Sequence, residues 1–308
     1  MWRLQNRLLC IALCGAVGCS YITERNVKNL GSRILSLIPG YTLFEAFEAG
    51  KNVSNSRAGL TEEEEYYLGR AVAARIMSIY PPLEDAELNS YLNKVAAVAV
   101  AFSDRPETFE GYHVQALDTN EVNSLSTPGG FLFVTRGLLQ ILQDEDTLAA
   151  VLAHEIGHVQ TRHGMKAIDE KNISQVLSLA GKTASALNCS ELGQQLALAF
   201  RGSVDDVFNF LEKGYSRDQE FEADAQAIDI LGPSGYDASA LITALEQLSL
   251  AGANQSKRWL SSHPATADRI ARVQEAQKGT AFIPSSRAPR VERFQKVMGQ
   301  IGHAAKTH

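Results

Sequence analysis

Apolar positions along this chain recur mainly at helical spacing, and a few short stretches break that rhythm. Residues 62 to about 80 and roughly 84 to 102 carry apolar side chains three and four apart, with Leu88, Leu92, Val95 and Val98 or Ala99 forming the clearest stripe. The first of these segments opens on Thr61-Glu62-Glu63-Glu64, a capping box. Thr61 accepts from the N3 amide, Glu64 reaches back, and the acids suit the positive end of the helix dipole. Pro81-Pro82 stops that helix. Tyr112 to Leu117 and Phe131 to Thr135 read instead as strands, set off by Asp118-Thr119-Asn120 and Thr127-Pro128-Gly129-Gly130. Gly137 to Gln143 reads as a short helix. The next helix starts on the acids Asp144 to Asp146, carries Leu148, Val151, Leu152, Ile156 and Val159, and ends near Gly164. Further helices are expected within 172–211 and over 216–231, 237–251 and 264–278. After Lys278 the prolines and basic residues leave little core-forming pattern. The expected fold is α+β, predominantly helical, with a small β-sheet.

Composition narrows the class without naming a partner. A chain of 308 residues can bury a sizeable core, and its net charge of −6 comes with mixed signs throughout. No Lys/Arg-rich run is present, which argues against a nucleic-acid partner. The N-terminal residues say more. Arg3 and Arg7, the apolar run Leu8 to Gly18 and the small residues before Cys19 read as an export signal, too short to be a membrane span. Cys19 sits where the lipobox of bacterial lipoproteins places its lipidated thiol. Ala16 stands where Leu is usual, and simple signal-peptidase cleavage fits the same bond. Both routes export the protein. Cys10 and Cys14 would leave with the signal and Cys19 would carry lipid, so Cys189 would have no disulfide partner. The expected layout is a signal over 1–18, a tether and accessory helix over 19–58, one domain over 59–280 and a tail over 281–308. Lys182, Glu191, Arg201 and Asp205-Asp206 interrupt the apolar 172–211 segment, so no transmembrane helix is expected there.

The chemistry concentrates at His154-Glu155-Ile156-Gly157-His158, an H-E-x-x-H inside an apolar-periodic helix. Residues four apart share a helix face, so both imidazoles can reach one metal ion, while Glu155 can act on water beside it. Hydrolytic zinc sites use three protein ligands, and the best third candidate is Glu220. Asp224 lies one turn further on, so one of the two acids can bind metal while the other holds a ligand imidazole in its tautomer. Glu222 projects about 200° around the helix from Glu220. His163 is nine residues beyond His154 and reads as a capping or packing residue. His113 on its strand reads the same way, and His303 and His308 fall in the tail.

Together these residues resemble the CAAX-prenyl-endopeptidase-like zinc metallopeptidases, which include Ste-type, HtpX-type and Oma-type enzymes and soluble bacterial periplasmic relatives. The resemblance runs from about Leu60 to Gln277. It rests on His154-Glu155-Ile156-Gly157-His158 with Val159 and Arg162-His163, and on Ser216-Arg217 with Glu220 and Asp224. Val122-Asn123, Pro128-Gly129-Gly130 with Phe131 to Val134, and Ser262-His263-Pro264 with Arg269 extend it. It implies a gluzincin-type domain with the sheet beside the H-E-x-x-H helix. It also implies one Zn²⁺ per chain on His154, His158 and Glu220, with Asp224 as the partner behind the ligands. Asn123 and His263 would lie over the zinc, against the substrate or the oxyanion. The activity expected is zinc-dependent endopeptidase action on unfolded or misassembled envelope proteins, with Glu155 as general base and His263 assisting. Phe131, Leu132, Phe133 and Val134 would offer a strand edge on which an extended peptide adds. The expected location is the periplasm, with lipidated Cys19 anchoring the protein to the outer membrane. The alternative is an envelope chaperone or assembly factor whose zinc site is vestigial or latched by His263.

Overall fold

Capping chemistry sets where the helices begin. The computed structural model describes residues 60–168, 189–254, 263, 266–278 and 286–304. The expected signal, tether and Cys19 lie outside the described residues, as do Ser262 and Pro264. Helix α1 spans Glu62–Ile79. The Thr61 hydroxyl accepts from the Glu64 amide at 3.2 Å, and the Glu64 carboxylate accepts from the Thr61 amide at 2.8 Å. Helix α2, Ala86–Val100, starts on Asp85, which accepts from the Leu88 amide.

Three strands follow: β1 (His113–Leu117), β2 (Ser124–Thr127) and β3 (Phe131–Thr135). Their order is β1-β3-β2, with β3 parallel to β1 and antiparallel to β2. Strand β2 escaped the sequence reading because Ser-Leu-Ser-Thr shows no apolar alternation, yet all four residues are buried. The β2–β3 turn needs glycine: Gly129 has φ 76° and ψ 0°, and a Cβ there would lie 2.5 Å from the Tyr66 Cα. Because β3 is the central strand, both its edges are already paired. Phe131, Leu132, Phe133 and Val134 therefore cannot present an edge to a peptide, and that expectation is overturned. Leu132 and Val134 face the larger core, while Phe131 and Phe133 face a second one under α1.

After the short α3 (Arg136–Ile141), helix α4 (Glu145–Gln160) runs through the centre. Every residue from Glu145 to Val159 is buried. A helix covered all round needs neighbours on every side, and α4 packs against α2, β2 and three later helices. Those are α6 (Arg217–Leu231), α7 (Ala240–Asn254) and α9 (Ala288–Ala304). Helix α5 (Cys189–Lys213) packs on α1, and α8 (Thr266–Ala276) lies against α6 and α7. No helix among the described residues is long and apolar enough to cross a membrane.

Residues after 278 do more than the sequence pattern suggests. In α9, Phe294 and Val297 are buried in the main core. Arg287, Arg290 and Arg293, three residues apart along this segment, reach the three acids that open α4. Arg287 Nε lies 3.0 Å from Asp144, Arg290 Nε 3.1 Å from Asp146 and Arg293 Nε 3.0 Å from Glu145. The helix is held by charge as well as by apolar contact, which a search for apolar periodicity does not see.

Candidate metal centre

Helix α4 sets His154 and His158 on one face, one turn apart, with Nε2 to Nε2 at 3.1 Å. Helix α6 brings Glu220 to the same spot: its Oε2 is 3.6 Å from His154 Nε2 and its Oε1 is 3.5 Å from His158 Nε2. The two helices meet this closely because of Gly157. A Cβ there would lie 2.9 Å from the Ala223 carbonyl oxygen and 3.2 Å from the Ala223 Cα. His263 arrives from the segment before α8, with Nδ1 2.9 Å from Glu220 Oε1 and 3.4 Å from His154 Nε2.

The four donors, one each from His154, His158, Glu220 and His263, lie within 4.8 Å of one another, and all four residues are buried. A tetrahedral zinc ion with bonds of about 2.0–2.1 Å requires neighbouring donors roughly 3.4 Å apart, which the separations above bracket. The donor chemistry, three imidazole nitrogens and a carboxylate, also suits a borderline cation.

Behind these donors the support is layered. His154 Nδ1 lies 3.0 Å from Asp224 Oδ1. Arg269, 1% exposed, donates to both Asp224 oxygens at 2.7 Å and sets Nη1 2.5 Å from Glu220 Oε2. Burial would raise the Asp224 pKa, but the Arg269 charge outweighs it and holds the group down at about 2. Glu220 is also held well below the usual carboxylate range, burial being overcome by His263 and Arg269. Burial pushes His158 well below an ordinary histidine. His263 moves upward, because Glu220 outweighs the burial that opposes its charge.

Glu155 is fully buried beside the cluster. Ser124 and Ser126, two apart on β2 and so on one face, donate to its two oxygens at 2.7 Å each. His263 Nε2 stands 3.7 Å from Glu155 Oε1. Tyr215 stacks on the His158 ring, centroids 3.6 Å apart and planes 15° from parallel. Asn123 is buried one residue ahead of Ser124 and donates its backbone N–H to the Thr135 hydroxyl.

The structure thus gathers Glu155, His154, His158, Glu220, His263 and Asp224, six of the residues singled out in the sequence. The family model for peptidase family M48 matches residues 82–277. The chain belongs to that family. All four donors, Glu155, Asp224 and Arg269 fall inside the M48 match, and with it the chain stands among the metallopeptidases. Individual M48 relatives agree. The chain is 28% identical to the putative beta-barrel assembly-enhancing protease of Vibrio cholerae, over 76% of this chain and 48% of that protein. It is 28% identical to the beta-barrel assembly-enhancing protease of Escherichia coli K12, over 68% and 42%. With the mitochondrial metalloendopeptidase OMA1 of Schizosaccharomyces pombe it shares 30% identity over 60% and 52%. The chain spans about half the length of these relatives.

Two M48-domain residues that the sequence reading set aside belong near the cluster. His163 is fully buried, its Nδ1 2.7 Å from His158 Nδ1 and its Nε2 3.0 Å from Glu222 Oε2. Helical geometry put His163 on the wrong side because the helix does not continue that far. Arg162, at φ 55°, turns the chain back in a Schellman closure in which the His163 amide bonds the His158 carbonyl and the Arg162 amide bonds that of Val159. The usual signal for that turn is glycine, and arginine concealed it.

Proposed function

We propose that this protein is a zinc-dependent metalloendopeptidase of the bacterial envelope, acting on unfolded or misassembled envelope proteins. The observation that carries the reading is the buried four-donor cluster with Glu155 beside it, within an M48 match. A zinc ion held by His154, His158 and Glu220 would supply Lewis acidity toward a water and a peptide carbonyl. The chain's own residues do the rest. Glu155 takes the proton of the attacking water, Asp224 with Arg269 holds His154 in the tautomer that presents Nε2, and the Tyr215 ring fixes the plane of His158. With zinc on those three residues, His263 Nδ1, 3.4 Å from His154 Nε2, would stand as a fourth donor. Substrate entry therefore requires His263 to move aside, after which its ring and Asn123 can hold the carbonyl oxygen and the peptide backbone.

An extended peptide would pair along β2, not β3. Among the described residues β2 pairs only with β3, and its serines point at Glu155. The far edge of the sheet is closed by Asn89 and Asn93, which bond the β1 backbone. The names of the bacterial relatives support envelope proteins as substrates. Anchoring to the outer membrane through Cys19 rests on the N-terminal pattern.

Glu155→Gln should retain zinc and lose cleavage of denatured casein by at least about 10²-fold, the scale of a lost general base. Undiminished cleavage would remove the mechanism. Glu220→Ala should lower zinc stoichiometry. A second reading, an envelope chaperone or assembly factor with a latched site, is favoured by one observation: His263 completes a closed set of four donors, the form structural zinc sites take. Zinc-loaded protein that binds unfolded outer-membrane protein without cleaving it, even as His263→Ala, would select that reading.

A further inference from the structure

The two ligand histidines of α4 are supported in different ways. His154 has the common arrangement, a carboxylate on its outer nitrogen, and that carboxylate is itself locked by Arg269. His158 instead presents its outer nitrogen to a second imidazole, that of His163. We propose that His163, steered by Glu222, is the positioning residue that fixes the tautomer and angle of His158 for metal, through a chain of three hydrogen bonding groups ending at the protein surface. This rests on the metal-centre reading above.

Each proton in that chain is assigned by elimination. His158 Nε2 faces His154 and Glu220, so its lone pair must stay free for a metal ion. Its proton therefore sits on Nδ1 and is donated across 2.7 Å to His163 Nδ1, which must then be the acceptor. The His163 proton is left on Nε2, where Glu222 Oε2 accepts it at 3.0 Å. With His158 Nε2 kept free and His163 neutral, any other placement puts two protons or two lone pairs face to face at one of these contacts. The chain starts at a ligand sealed from solvent and ends on a carboxylate whose side chain is 48% exposed, with Lys166 Nζ 3.8 Å away. Backbone geometry presets it. The left-handed turn at Arg162 folds His163 under His158, and Arg162 is held by the buried Glu65 at 3.1 Å. Glu222 lies two residues from Glu220 on α6, so one helix supplies a ligand on one face and the end of the chain on another.

The test is zinc affinity of the full-length protein by competition with a chromophoric chelator, alongside the melting temperature of the metal-free form. His163→Leu should weaken zinc binding by about 10–100-fold, the usual cost of losing a partner behind a ligand. His163→Asn, which returns an acceptor oxygen near the Nδ1 position, should recover most of that affinity. Glu222→Leu, at an exposed site that folding tolerates, should weaken it severalfold. Nitrogen-15 histidine NMR of the zinc-loaded wild type should show the proton on Nδ1 at His158 and on Nε2 at His163. Unchanged zinc affinity in folded His163→Leu, or reversed tautomers, overturns the proposal. So does a variant series in which affinity follows melting temperature and His163→Asn restores neither. Wild type that takes up no zinc sinks the metal-centre reading itself, whereas tight wild-type binding with an indifferent His163→Leu sinks only this inference.

Discussion

The two ends of helix α4 are both buried and both polar, but they are built on opposite logic. At its start, Asp144, Glu145 and Asp146 are each answered by an arginine from Arg287 to Arg293, and Tyr91 donates a further bond to Glu145 at 3.0 Å. Opposite charges meet one to one, so nothing there calls for a ligand. At the other end of the same 16-residue helix lie His154 and His158, whose inner nitrogens converge on Glu220 and His263. There imidazole nitrogens and a carboxylate converge on one point, and a full cation stands behind them. Arg269 reaches Glu220 and Asp224 from the outside. A buried polar cluster paired within the protein is a structural device. One that gathers acceptors around a common point is arranged for a cation.

The largest effect expected from this contrast is on stability at the arginine end. Arg290→Met removes the partner of Asp146 where the two side chains are 5% and 1% exposed. Breaking a buried pair from one side costs about 3–5 kcal/mol, because it strands a buried charge. Chemical denaturation should show that loss, with zinc affinity in the remaining folded protein unchanged. A matched fall in zinc affinity would show that the two ends are coupled through the helix, and the contrast would fail.

How much of this could be read beforehand follows the same division. The capping boxes at Thr61 and Asp144, the H-E-x-x-H and the Glu220–Asp224 spacing are local in sequence, so helix geometry alone brings their members together. The strand β2, with its hydroxyl grip on Glu155, was not legible because its burial comes from packing on α4 and not from apolar residues of its own. Family resemblance pointed to His263, which no periodicity ties to the cluster it joins, and to Asn123. The His163 turn was hidden because arginine stands where glycine is usual, whereas the Arg269 bridge and the arginine ladder of α9 depend on charges brought together over 45 to 148 residues of separation. Sequence patterning carries no distance information at that range. The strand-edge assignment for Phe131 to Val134 failed for a related reason, since strand order decides which strand is an edge and hydropathy does not.

A smaller effect should appear where the two ends differ in packing. Gly157→Ala places a methyl group against backbone of α6, 2.9 Å from the Ala223 carbonyl, which cannot give way as a flexible side chain would. The cost should be about 1–3 kcal/mol. Because α6 carries Glu220, the displacement should also weaken zinc binding. An alanine placed elsewhere on α4 away from α6 should not. If Gly157→Ala lowered stability and left zinc affinity intact, the close crossing would serve packing alone.

The smallest effect separates the two ends by pH. Burial would raise the Asp144 pKa, yet the Thr147 amide and Arg287 outweigh it and hold the carboxyl below its ordinary 3.8. A group whose pKa is depressed by folding stabilises the fold above its unfolded value, and that contribution is lost as pH falls through the folded one. The Asp144–Arg287 pair should therefore contribute fully at neutral pH and fade only below about pH 4. Arg287 is 58% exposed, so solvent screening limits the pair to ~0.5 kcal/mol. Comparing denaturation midpoints of wild type and Arg287→Gln across pH should show a small constant gap down to that point, then convergence. A gap that closed instead near neutral pH would implicate a histidine, and would tie the arginine end to the imidazole end after all.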